Sequence, residues 1–92
     1  MRLDKFLKVS RIIKRRTVAN EACDGGRVTL NGKVAKAGAE VKPGDLLTIR
    51  FGEHIGRYQI LSVAETARKE QAGQMYETLE PLRIPEDEGE EA

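Results

Sequence analysis

Tryptophan is missing from this chain, cysteine and histidine occur once each, and aromatic residues make up 4% of it. Each scarcity excludes something. Cys23 alone cannot form an internal disulfide. A lone cysteine suits a reducing compartment and reads as a small buried apolar group. His54 has no Cys or His partner at metal-ligand spacing, and no Gly-rich phosphate loop accompanies it. It reads as a surface histidine in a Gly-containing loop. Asp4 and Asp24 are explained more simply as helix-end residues than as a paired acid and base. The expectation is a non-enzyme with no cofactor and no metal. The aromatic residues Phe6, Phe51, Tyr58 and Tyr76 are too few for a platform that stacks many bases. No run approaches the roughly 20 apolar residues that cross a bilayer. Charge begins at Arg2 with no apolar run behind it, so neither a signal peptide nor a membrane partner is expected, and the expected location is cytoplasmic.

What the chain does have is charge, unevenly placed. Its 92 residues suffice for one small domain. The formal net charge is +1, yet residues 1–50 hold 12 Lys or Arg against 5 Asp or Glu, a balance of +7. Residues 51–92 hold 4 against 10, a balance of −6. A basic half concealed by an acidic half points to an anionic partner, nucleic acid above all.

Residues 2–13 read as a helix, because Leu3, Phe6, Leu7 and Ser10 recur at i, i+3, i+4, i+7 and make one narrow buried stripe. Lys5 and Lys8 point away from that stripe. Asp4 in the first turn suits the helix dipole. Thr17 is the expected N-cap of a second helix, which Asp24-Gly25-Gly26 stops. Val28-Thr29-Leu30 reads as a strand, and Asn31-Gly32 is a strong hairpin signal. Pro43-Gly44-Asp45 marks another turn. Leu47, Ile49 and Phe51 alternate as a strand, and residues 57–63 form the next. Ala72, Met75, Tyr76 and Leu79 predict a C-terminal helix within residues 64–80, with Gly73 weakening it. Residues 81–92 read as a disordered acidic tail. The fold class is α+β, with two N-terminal helices packed on a small, mostly antiparallel sheet. The domain plan is a basic domain with its strand extension over 1–63, the helix over 64–80 and the tail over 81–92.

The most informative stretch is the consecutive run Lys14, Arg15 and Arg16, which leads directly into the second helix. Closely spaced cations bind phosphates by releasing condensed counterions, and arginine adds a planar fork that grips a phosphate with two hydrogen bonds. A helix N-terminus offers backbone N–H donors beside them. Arg27, Lys33 and Lys36 bracket the hairpin tip and extend the basic face. A solvated basic loop with no ligand accounts for the spacing nearly as well, so the cluster and the hairpin weigh more together than apart.

"RLDKFL", "GGRVTLNGKVA" and "VKPGDLLTI", in that order, resemble the S4 RNA-binding domain over roughly residues 1–50. The resemblance implies that the two helices and the hairpin tip carry the RNA contacts. It places them on Arg2, Lys5, Arg11, Lys14, Arg15, Arg16, Thr17, Arg27, Asn31 and Lys33. No appended catalytic module fits in the remaining residues. The run "MRLDKFLKVSRIIKRRTVANEACDGGRVTLNGKVAKAG" is very similar to the small free-standing S4 proteins of bacterial ribosome-associated quality control. That similarity implies binding to large ribosomal subunit rRNA and to tRNA. The subunits would still hold a peptidyl-tRNA, whose P-site position is stabilised while an RqcH-like tailing factor supports C-terminal alanine tailing. It also implies a monomer off the ribosome. Two alternatives share the basic domain: a heat-shock-type S4 protein, whose relatives end in a longer basic tail, and a structural or assembly protein on large-subunit rRNA.

Overall fold

A computed structural model describes residues 1–81. The acidic tail expected over 81–92 therefore falls, after Pro81, outside the described residues. The first helix, α1, spans Leu3–Val9, and Leu3, Phe6, Leu7 and Ser10 are buried at the predicted spacing. It ends earlier than the predicted boundary at residue 13. Ser10 is the C-cap, and Arg11 takes a left-handed backbone with φ 64°. That reversal turns the chain so that Ile13, whose amide donates to the Leu7 carbonyl at 3.1 Å, becomes fully buried.

The second helix, α2, spans Arg16–Asp24 and buries Ala19, Ala22 and Cys23. Its N-cap is Arg15, with no side-chain cap, so Thr17 is a residue of the first turn and not the cap. A side-chain cap stabilises by about 1 kcal/mol, which is less than burying the Ala19–Ala22–Cys23 face in correct phase. The helix stops where predicted. A Cβ on Gly25 would stand 2.9 Å from the Glu21 carbonyl oxygen, so only glycine fits there without a shift.

Five antiparallel strands follow in the order β2-β1-β3-β4-β5. They are β1 (Val28–Leu30), β2 (Lys33–Val34), β3 (Leu46–Phe51), β4 (His54–Ile60) and β5 (Tyr76–Glu80). Asn31 and Gly32, both with positive φ, close the β1–β2 hairpin as a two-residue turn of the kind their sequence favours. β4 starts at His54, so that histidine is a strand residue and not a loop residue. One face of the sheet carries Val28, Leu47, Ile49 and Ile60 into a single core with Leu3, Phe6, Leu7, Ile13, Ala19 and Ala22. Both helices thus cover one side of the sheet and leave the other open.

The C-terminal helix predicted within 64–80 is overturned. One helical turn, α3 (Lys69–Ala72), is followed by β5, which pairs with β4. Ala72 and Met75 are buried as the helical period required, but Leu79 is 53% exposed. Pairing with β4 satisfies a row of backbone groups that would otherwise face water as a bare edge. Tyr76 then meets Tyr58 edge to face, with ring centroids 5.3 Å apart. Within 64–80, Tyr76–Glu80 therefore complete the sheet.

Candidate nucleic-acid interface

The basic candidates are organised by an acid. Asp4 lies on α1 with its side chain 2% exposed. Its Oδ1 accepts the Arg2 Nε–H at 3.1 Å and the Lys5 amide at 2.8 Å. Its Oδ2 accepts Arg2 Nη2 at 3.4 Å and Asn20 Nδ2 at 3.3 Å. Arg16 Nη2 stands 3.6 Å from the same oxygen. An isolated buried carboxylate would be costly. Burial alone would raise the Asp4 pKa, but the hydrogen bonds from Arg2 and Asn20, the Arg2 charge and the Lys5 amide outweigh it. The net effect holds the carboxyl below its ordinary value of 3.8. One negative charge thus positions two guanidinium groups from two helices, and they remain 56% and 55% exposed. The donors of Arg2 and Arg16 that do not meet Asp4 remain open to solvent.

α1 cannot supply an anion site at its own N-terminus. The amides of Leu3 and Asp4 already donate to the carbonyls of Ala39 and Ala37. The chain start is pinned further by the Met1 ammonium, 2.6 Å from Glu40. The α2 terminus differs, because it follows Arg15 directly and places Arg16 and Thr17 in its first turn, both exposed.

Arg11 and Lys14 share a cleft of about 540 Å³ with Lys8, Ser10, Ala72, Gly73 and Tyr76. Lys8 and Tyr76 were not among the predicted contacts. Lys8 was legible as a cation off the buried stripe, whereas Tyr76 reaches the cleft only because β5 is a strand. Lys5 is less available, since its Nζ is 2.6 Å from Glu65, whose pKa that hydrogen bond lowers.

The hairpin candidates divide between the two sides of the sheet. Arg27 borders the open side of the sheet, beside Thr29 and Arg50, and its guanidinium lies 5.9 Å from the Phe51 ring centroid. Lys33, opposite Leu30, faces the helix side at the β2 edge. Asn31 is occupied internally. Its Nδ2 donates to Asp45 Oδ1 at 3.1 Å and its Oδ1 accepts the Leu46 amide at 2.9 Å. Lys36 Nζ donates to the Asp24 carbonyl at 3.1 Å and ties α2 to the loop after the hairpin. Cys23 is buried, and desolvation, with Asp4 and Asp24 nearby, pushes its thiol up to about 12.

The S4 domain family matches residues 1–47. A protein of Halalkalibacterium halodurans named "RQC P-site tRNA stabilizing factor" is 62% identical over 77 residues, which is 84% of this chain and 88% of that one. The Bacillus subtilis protein of the same name is 52% identical over 86 residues, 94% of this chain and 100% of that one. Among solved structures, the trimeric Vibrio cholerae Heat Shock Protein 15 superposes with a TM-score of 0.77 at 33% identity, covering 85% of this chain and 80% of its own. These likenesses show that the chain belongs to the S4 domain family, in the group that includes the RQC P-site tRNA stabilizing factors.

Proposed function

We propose that this chain is a non-catalytic RNA-binding factor of ribosome-associated quality control. It binds large ribosomal subunits obstructed by peptidyl-tRNA and stabilises the P-site tRNA while a tailing factor of the RqcH kind extends the nascent chain with alanine. It acts in the cytoplasm and is a monomer off the ribosome. The observation that carries this reading is the pair Arg2 and Arg16 held half-exposed on Asp4. Two forked cations at a fixed separation recognise backbone phosphates, which is how A-form RNA with its hidden bases is read. The names of the relatives at 62% and 52% identity supply the RNA and the site. Binding lowers the free energy of one tRNA position, and no bond is made or broken.

The test is purification of the tagged protein and sequencing of the RNA that comes with it. Enrichment of tRNA with large-subunit rRNA is the expected result. Stoichiometric presence on all large subunits would instead identify a structural protein, and tRNA-free rRNA would favour a heat-shock or assembly role.

A further inference from the structure

The open face of the sheet carries a second basic site, away from the helices. Arg27 continues the β1–β3 ladder opposite Arg50, whose amide donates to the Arg27 carbonyl at 2.8 Å. Thr29 and Thr48 form the next outward-facing pair, and Thr48 in turn stands opposite Arg57. With Val34, Arg27, Thr29, Thr48 and Arg50 line a cleft of about 450 Å³.

Like charges directly opposed across two strands destabilise a sheet. Among the described residues, neither Arg27 nor Arg50 has a carboxylate at ion-pair distance. The pair is therefore not explained by folding. The Arg27 guanidinium carbon stands 5.9 Å from the Phe51 ring centroid, within cation–π range. Arg57, opposite Thr48 on the same face, lies in register with Glu80 of β5.

We infer that this cleft binds the sugar–phosphate backbone of an RNA strand distinct from the one on the helices. The inference rests on the RNA reading of the helical face and adds a second, opposite contact. Two arginines and two threonines line the cleft together with Gly26 and Val34. The two arginines give the cleft a positive charge that complements a phosphate backbone. A domain clamped between the two strands has its position set from both sides.

Amide NMR on the full chain tests this, with bulk tRNA as the probe. Titration is expected to perturb Thr29, Thr48 and Arg50 as well as the first turns of α1 and α2. Arg50→Gln should abolish the sheet-side response, leave the helical one, and reduce the slope of log affinity against log salt by about 1. The spectrum itself reports that the variant is folded. Perturbation of the helical side alone overturns this inference and leaves the proposed function standing. No perturbation on either side overturns both. A sheet-side response to poly-glutamate as strong as that to tRNA, at equal charge and salt, overturns the choice of RNA.

Discussion

Arg16, in the first turn of α2, holds its Nη2 3.6 Å from the buried Asp4 Oδ2 on α1. Arg2 reaches the same carboxylate at Oδ1, 3.1 Å away. The acid therefore serves the fold and the interface at once, and substitutions should separate the two roles.

Removing either arginine should weaken large-subunit binding while the fold persists, because each is more than half exposed. The expected loss for Arg2→Ala or Arg16→Ala is about 1–3 kcal/mol, the range for charge-assisted contacts. Cosedimentation and thermal melting check this together. Unchanged cosedimentation for both variants would remove the interface from α1 and α2.

Asp4→Asn should cost both stability and binding, since the neutral amide releases the arginines and leaves their donors underpaired. The stability loss is expected at about 1–3 kcal/mol. Its pH dependence follows from the lowered carboxyl pKa. A group whose folded pKa is depressed stabilises above its unfolded pKa and loses that contribution as pH falls through the folded value. The gap between parent and Asp4→Asn urea midpoints should be flat near neutrality and close only below about pH 4. A gap that closes near pH 6 would mean a different group, and not Asp4, carries it.

Asn31 matched the family's RNA-contact pattern, but its amide is spent on Asp45 and Leu46. Asn31→Ala therefore belongs with stability: it removes two hydrogen bonds and forces alanine into φ 54°. We expect a loss of about 1–3 kcal/mol and unchanged affinity for RNA at temperatures where the variant stays folded. A binding defect in a fully folded Asn31→Ala protein would return the residue to the interface.

What the sequence made legible was local. The α1 stripe needs only the spacing of Leu3, Phe6 and Leu7, and the hairpin needs only Asn31-Gly32. The Asp4–Arg16 contact joins residues on two helices, so it depends on how those helices cross. The same holds for Arg50, an ordinary exposed strand cation until the β1–β3 register sets it opposite Arg27. The family resemblance located the basic residues but could not divide them between two sides of a sheet.

Cys23 offers a readout of opening rather than function. With its thiol pushed up to about 12, the thiolate fraction at pH 8 is on the order of 10⁻⁴. Labelling by a thiol reagent should then track unfolding and accelerate sharply in urea at the global transition. Rapid labelling in native buffer would show that α2 opens away from the core by itself.

The C-terminal unit distinguishes helix from strand most directly. The period of Ala72, Met75, Tyr76 and Leu79 fits a helix, yet pairing with β4 wins because it satisfies an edge and buries Met75 beside Ile60 and Tyr58 in the core. Truncation after residue 81 should leave Tm nearly unchanged. Truncation after Met75 removes β5 and exposes the β4 edge and the Tyr58 ring. Its expected cost is several kcal/mol; each kcal/mol lowers Tm by about 4–8 °C in a domain this small. Amide exchange gives the second measurement, because the β4 groups that bond to β5 should lose protection on removal of that strand while β1 amides keep theirs. Equal Tm for the two truncations would show that residues 76–81 add nothing to the sheet.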